Sequence, residues 1–148
     1  MTRVCAIVNP RSGGGATGRR LPEIRSALEA HFTDVEVRLT ESAGDGVAKA
    51  RAARVAGHEL VLAVGGDGTV HEVVNGLLSV PGVPTFGVLH AGTGGDFVKT
   101  LGTPTNVGRA VARIASGERR ACDVMRCRFE GHDGGMVERY CVNVLGFG

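Results

Sequence analysis

Apolar and polar positions along the chain switch repeatedly between two periods. Arg3–Val8 is a short, mostly apolar run that ends at Asn9-Pro10, the pattern of a buried strand. Leu21, Ile24, Leu28 and Phe32 then recur at helical spacing, with Pro22 near the helix start. Val35, Val37 and Leu39 alternate with Glu36 and Arg38, which predicts a strand with one more polar face. Ala43–Ala56 is alanine-rich and helical, and Gly57 suits its C-cap. Leu60–Val64 is a second, fully apolar strand that runs straight into Gly65-Gly66-Asp67-Gly68-Thr69. Val70, Val73, Val74, Leu77 and Leu78 follow as the apolar stripe of a packed helix. Thr85–Leu89 predicts another strand, followed by His90-Ala91-Gly92-Thr93-Gly94-Gly95-Asp96, and Val107, Val111 and Ile114 mark one more helix.

After Gly117 the texture changes. Ala121–Phe129 and Val137–Leu145 read as strands joined by a glycine- and aspartate-rich turn over 131–135, with no helix between them. The expected fold is therefore α/β: a three-layer domain around a parallel sheet, with antiparallel strands beginning near the C-terminus. Asn143–Gly148 is apolar and strand-like, so the sequence reads as a piece of a longer protein.

Composition narrows the classes. At 148 residues the chain fits one domain with a sizeable core. The net charge of +2 and 4% aromatics, with no Trp, argue against nucleic acid as a partner. No apolar run approaches a membrane span, and the N-terminal strand pattern does not fit a signal peptide. Cys5, Cys122, Cys127 and Cys141 contain no C-x-x-C pair. A reducing, cytoplasmic setting is expected, and a structural zinc site is not.

Glycine is the outlier, with 24 residues in all and clusters at 13–15, 65–68 and 92–95. In a parallel sheet, ligands sit at the carboxyl ends of the strands. The loops Asn9–Gly15, Gly65–Thr69 and Gly92–Asp96 all fall there. Glycines let backbone N–H groups approach an anion, and a following helix adds its positive end. One such loop is also consistent with a plain tight turn; three together favour phosphate. Asp67, Asp96 and Asp123 either cap or terminate local structure, or organise Mg²⁺ near a polyphosphate. Ser12, Thr69 and Thr93 offer hydroxyls, and Arg11, Arg19, Arg20 and Lys99 offer positive charge or simply face solvent. Gly13, Gly15 and Gly18 satisfy G-x-G-x-x-G, with Glu36 or Glu41 downstream, but Asn-Pro-Arg-Ser separates them from the strand. The P-loop pattern fails as well, because Gly18 is followed by Arg19-Arg20. Thr40 ends the second strand, where it either reaches a nucleotide or serves a turn. His71 lies near any bound phosphate or on a solvated face. His31, His58 and His132 read as surface residues, and Glu72 and Asn75 as a solvated helix side.

Taken in order, these loops resemble the diacylglycerol kinase catalytic-domain family, which includes sphingosine, ceramide and bacterial lipid kinases. The resemblance rests on Asn9-Pro10-Arg11-Ser12-Gly13, on Gly65 through Leu77, on Gly92-Thr93-Gly94-Gly95-Asp96-Phe97 with Leu101-Gly102, on Asp123, and on Asn143–Gly148. It implies a nucleotide-binding domain over 1–148, similar to the NAD kinase and phosphofructokinase fold, with a β-rich domain downstream. It implies ATP contacts from Asn9, Pro10, Arg11, Ser12, Gly13, Thr40, Gly65, Gly66, Asp67, Gly68, Thr69, Val70, His71, Gly92, Thr93 and Gly94. Asp67, Asp96 and Asp123 would form the acidic catalytic network near Mg²⁺. The implied reaction moves the ATP γ-phosphoryl group to a lipid hydroxyl, diacylglycerol or a relative, during transient contact with a membrane surface. Such chemistry needs positioning and charge neutralisation above all. The family's downstream domain carries the proposed general base and the lipid contacts, so 1–148 alone is expected to be inactive. A homodimer is compatible with this reading. Two departures stand out: Gly95 replaces a usual Asn, and His90 stands where Pro is common. The shared Gly-Gly-Asp-Gly-Thr leaves NAD kinase as one alternative, and a non-catalytic nucleotide-binding module as another.

Overall fold

The computed structural model describes residues 2–90 and 102–142. Its elements are β1 (Arg3–Val8), α1 (Ala16–Arg19), α2 (Leu21–His31), β2 (Asp34–Leu39), α3 (Asp45–Val55), β3 (Leu60–Val64), α4 (Asp67–Leu78), β4 (Phe86–Leu89), α5 (Val107–Ala115), β5 (Met125–Glu130) and β6 (Met136–Cys141). β1 to β4 form one parallel sheet in the order β2-β1-β3-β4. β5 and β6 pair antiparallel as a separate hairpin. This is the expected α/β architecture with an antiparallel end.

Alternation along the strands divides the core in two. Val4, Ala6 and Val8 of β1, with Leu60, Leu62 and Val64 of β3, pack on α2 and α5 through Ile24, Leu28, Val107 and Val111. Cys5, Ile7, Val61 and Ala63 point the other way, onto Ala50 and Ala53 of α3 and Val70, Val73, Val74 and Leu77 of α4. Because both faces are covered, β1 and β3 read as continuous apolar runs. Each fully buried aliphatic side chain contributes roughly 1.5–3 kcal/mol of transfer free energy.

The alanine-rich α3 has a packing reason. A Cβ placed on Gly76 of α4 would lie 2.3 Å from Val47 O and 2.8 Å from Ala50 Cβ. The two helices meet backbone to backbone, which small residues alone permit.

Strand order sets where a ligand fits. From β1 the chain moves to β2 on one side, then returns to β3 on the other. The loops after β1 and β3 therefore diverge, leaving a crevice at the topological switch point. Asn9 N donates to Val64 O at 2.9 Å, Thr40 N to Val8 O at 2.8 Å and Gly65 N to Leu89 O at 3.2 Å, so all four strand ends are tied at this edge.

Several boundaries differ from the pattern-based expectation. α1 is an unexpected short turn of helix after the first glycine loop. α3 starts at Asp45 rather than Ala43, after Gly44 in the left-handed region (φ 84°). α4 begins at Asp67, inside the glycine motif rather than after it. β5 begins at Met125, which pairs with Cys141. Extending β5 back to Ala121 would need partners from 142 onward, mostly outside the described residues. The expected strand end at Leu145 lies outside them too, as do Gly92–Asp96 and Asn143–Gly148.

Candidate functional site

The crevice at the switch point is an open cleft of ≈ 310 Å³ lined by Asn9, Arg11, Ser12, Thr40, Glu41, Ser42, Ala43, Gly66, Gly68, Thr69 and Glu72. Three chain segments build it.

The first is the loop after β1. Asn9 Oδ1 accepts the Arg11 N–H at 3.0 Å, a side-chain turn that starts the reversal. Ser12 Oγ donates to Asn9 O at 2.9 Å, and it lies 2.6 Å from Oγ1 of the fully buried Thr17. Gly13, Gly14 and Gly15 have φ of 61°, 63° and 84°, a left-handed run that other L-residues adopt only with strain. α1 then folds back so that Gly18 N donates to Pro10 O at 3.0 Å, where a Cβ would sit 2.8 Å from that oxygen. Gly13, Gly15 and Gly18 thus serve the reversal itself, which agrees with rejecting the dinucleotide pattern.

The second segment joins β3 to α4. Gly66 is extended (φ −97°, ψ −171°) and caps α4. First-turn N–H groups of a helix have no intrahelical acceptor, and Gly66, Gly68 and Thr69 line the cleft there. A Cβ on Gly65 would fall 2.4 Å from Thr69 Oγ1 and 3.2 Å from Ser12 Oγ, so the two loops touch at this glycine. Thr69 Oγ1 is buried and makes no hydrogen bond among the described residues. His90, just after β4, has Nδ1 3.2 Å from Gly65 O, which links the end of β4 to the same turn.

The third segment is the turn from β2 into α3. Both Glu72 carboxylate oxygens accept backbone N–H groups, from Gly44 at 2.8 Å and Gly46 at 2.9 Å. Charge-assisted bonds of this kind are about twice as strong as neutral ones. Asp45 accepts the Glu41 N–H at 2.9 Å and pairs with Lys49. The Lys49 ammonium, and secondarily the Glu41 N–H, hold the Asp45 carboxyl below the ordinary range.

Of the residues anticipated from sequence, Asn9, Arg11, Ser12, Thr40, Gly66, Gly68 and Thr69 come together around the cleft. Pro10 and Gly13 lie in its first loop, and Gly65 sits beneath it. Asp67 is exposed in the first turn of α4, beside the cleft, and His71 is exposed one turn further on. Val70 points into the core, and its N–H donates to Gly66 O. Asp123 is exposed ahead of β5, and among the described residues no hydrogen bond or ion pair joins it to Asp67. Gly92, Thr93, Gly94, Asp96 and Lys99 lie outside the described residues. Arg20 is engaged with Glu23 at 3.0 Å, and Arg19 reaches Gly14 O at 3.4 Å.

Three readings of polar residues are corrected. Glu72, half-buried at the cleft, does more than face solvent; it fastens α4 to the start of α3. Asn75 is buried on the hairpin side of α4, with its amide on the Tyr140 backbone. His58 is buried, with Nδ1 2.9 Å from Ala53 O and Nε2 3.0 Å from Glu36 Oε2. None of these placements has a local spacing signal, because Glu36, Gly44, Gly46 and Tyr140 lie between 22 and 65 residues from the side chains they meet. A second cavity, ≈ 430 Å³ near Arg54, Leu77, Pro81 and Arg119, opens at the amino ends of the strands, away from the switch point.

A doubly wound α/β domain with glycine loops converging at its switch point defines a class that takes ligands there. The particular family follows from comparison. Residues 3–127 match the diacylglycerol kinase catalytic domain, and the chain belongs to that family. Relatives named diacylglycerol kinase include one from Staphylococcus carnosus, 34% identical over 99% of this chain and 45% of its own length. Another, from Bacillus subtilis, is 32% identical over 100% of this chain and 46% of its own. A crystal structure of a diacylglycerol kinase from Bacillus anthracis superposes with a TM-score of 0.69 at 32% identity, covering 85% of this chain and 41% of that one. The chain spans just under half the length of the relatives it matches.

Proposed function

We propose that the whole protein transfers the γ-phosphoryl group of ATP to a lipid hydroxyl, with diacylglycerol the first acceptor to test. Residues 1–148 supply the nucleotide-binding half, and a downstream β-rich domain supplies the acceptor side and the general base. The supporting observation is the cleft. It places unused helix N–H groups, the Ser12 and Thr69 hydroxyls and Arg11 around a space with glycine at its floor.

The donor set fits a nucleotide polyphosphate. Among the described residues a Cβ on Gly66 or Gly68 would meet nothing within 4 Å, which leaves room for a ligand at the N-terminus of α4. The Thr69 hydroxyl, unpaired among the described residues, is open to a ligand partner, because a buried polar atom without one costs ~1–3 kcal/mol. A phosphate oxygen satisfies it and takes the helix N–H groups and dipole as well. Thr40 and the 41–43 turn face the nucleotide from the opposite wall, held in place by Glu72.

The exposed Asp67 carboxylate suits a magnesium site, and Asp96 and Asp123 are its proposed companions. Those carboxylates would hold Mg²⁺, which would supply charge neutralisation for the transferring phosphoryl group. This chain's contribution is then positional. The glycine turns let backbone approach the phosphates, and the rigid Asn9–Thr17 loop fixes their register. Catalysis by positioning requires little else of the nucleotide half. Among the described residues no helix is long and apolar enough to cross a membrane. The proposed encounter with lipid is peripheral and transient, at a cytoplasmic membrane face.

The test is a transfer assay on the full-length protein with ATP and Mg²⁺, offering diacylglycerol in mixed micelles and NAD in parallel. Phosphorylated lipid supports the reading. Phosphorylated NAD with no lipid product contradicts it.

A further inference from the structure

Away from the cleft, three side chains of different chemistry converge on the α3 face of the sheet. Cys5 of β1 and Glu36 of β2 stand opposite each other in the strand register. His58 reaches them from the turn between α3 and β3. One ligand atom from each, the thiol sulfur, a carboxylate oxygen and a ring nitrogen, all lie within 4.8 Å of one another.

The hydrogen bonding of His58 decides what this cluster can hold. Its Nδ1 lies 2.9 Å from Ala53 O. A carbonyl only accepts, so Nδ1 carries a proton. In the neutral ring Nε2 is then a bare lone pair. The side chain is 1% exposed, and Nε2 stands 3.0 Å from Glu36 Oε2, with no hydrogen bond among the described residues. Two acceptors facing each other at that distance repel unless a cation lies between them. A proton or a metal ion meets the need, and the adjacent thiol is a third donor that only the metal ion uses.

We propose that Cys5, Glu36 and His58 bind a zinc-type divalent cation, at a site separate from the phosphoryl-transfer cleft. Sulfur, imidazole and carboxylate together suit zinc, whereas magnesium takes oxygen ligands. Bonds form from Sγ, Nε2 and a Glu36 oxygen, and the Cys5 thiol proton leaves to solvent. Water completes the fourth position from the half-exposed Glu36 side. Without metal the thiol stays protonated, since burial pushes Cys5 up to about 11, with Arg38 pulling it down and Glu36 raising it.

The surroundings are organised as metal sites require. Ala53 O fixes the His58 tautomer. Arg38 donates to both Glu36 oxygens, at 2.7 and 3.1 Å, and so orients the carboxylate. Arg38 also opposes a cation, and the thiolate and carboxylate together offset it. The bound ion would staple β1, β2 and the α3–β3 turn. Cysteine spacing argued against zinc because the donors are mixed and come from three separate elements.

The test uses Co²⁺ as a spectroscopic stand-in for zinc, titrated into the reduced full chain. The expected result is a thiolate-to-cobalt charge-transfer band that saturates at one equivalent and disappears on adding Zn²⁺. Cys5→Ala and His58→Gln should weaken binding at least tenfold, while Cys122→Ala and Cys127→Ala leave it unchanged. If Cys5→Ala fails to fold, the half-exposed Glu36→Gln serves, with loss of the Zn²⁺-dependent rise in Tm as readout. No band, or a band that survives Cys5→Ala, overturns the proposal. So does a nitrogen NMR spectrum showing both His58 ring nitrogens protonated in excess Zn²⁺, which would assign a plain imidazolium–Glu36 pair.

Discussion

The side-chain amide of Asn75 on α4 closes both backbone groups of Tyr140 on β6. Tyr140 N donates to Asn75 Oδ1 at 2.9 Å, and Asn75 Nδ2 donates to Tyr140 O at 2.8 Å. The second amide proton goes to His71 O, also at 2.8 Å. The amide thus behaves like a strand neighbour for β6 and docks the hairpin on the helix that begins at the cleft.

Asn75→Ala should destabilise the protein by about 1–3 kcal/mol, because it strands an N–H and a C=O against the helix. Asn75→Asp loses both donated bonds and should cost at least as much. Urea unfolding checks the total, and hydrogen exchange checks its location. Faster exchange is expected at β6 amides, with β1 and β3 protected as before.

Glycines in and near the cleft should separate into two groups. Gly66→Ala and Gly68→Val add atoms where the new Cβ meets no described residue within 4 Å, so Tm should change little while the KM for ATP rises at least tenfold. Gly65→Ala forces Thr69 and Ser12 to move, and Gly76→Ala drives α3 and α4 apart. Both should lower Tm, and Gly76→Ala should do so with the smaller effect on the KM of whatever protein remains folded.

Glu72→Gln keeps its size but loses charge and one acceptor. Each charge-assisted bond to a backbone N–H contributes ~1.5–3 kcal/mol. The variant should lose a sizeable part of the contribution of its two bonds. The Thr40–Gly44 wall should loosen, raising the KM for ATP more than it lowers kcat. Steady-state kinetics with varied ATP reads the split.

Acid sensitivity should map to the same wall. Asp45 is held below the ordinary carboxylate range in the folded state, first by Lys49 and then by the Glu41 N–H. A depressed folded value means stability that is present above the unfolded pKa and lost as pH falls through the folded one. Asp45→Asn should therefore flatten the fall in stability on the acid side and leave the slope near neutrality unchanged. Denaturant melts across pH measure both.

Strands buried on both faces were readable because β1 and β3 carry unbroken apolar runs, and β3 was bounded by Glu59 and Gly65. The helix stripes of α2 and α4 were equally plain. Polar positions were harder. Glu72 and Asn75 occupy the polar side of α4, and nothing within one helix turn reveals that Gly44, Gly46 and Tyr140 will meet them. Sequence pattern puts His58 at the surface, because Cys5 and Glu36 come together beside it only once β1 and β2 pair. The glycine loops showed where backbone turns tightly, and Gly18 needed the fold to reveal that it makes room for Pro10. For the cleft, Asn9, Ser12, Thr40 and Thr69 were legible from their places at strand ends. Glu41–Ala43 were not, because a β2–α3 turn has no distinguishing chemistry of its own.

The central claim is that the β1–β3 crevice binds a nucleotide through the N-terminus of α4. Calorimetric titration of the full chain with ATP and Mg²⁺, repeated on Gly68→Val, tests it most directly. One site per chain is expected, weakened at least tenfold by the substitution, about 1.4 kcal/mol or more, with Tm unchanged. ATP binding that ignores Gly68→Val, or no ATP binding at all, would contradict it.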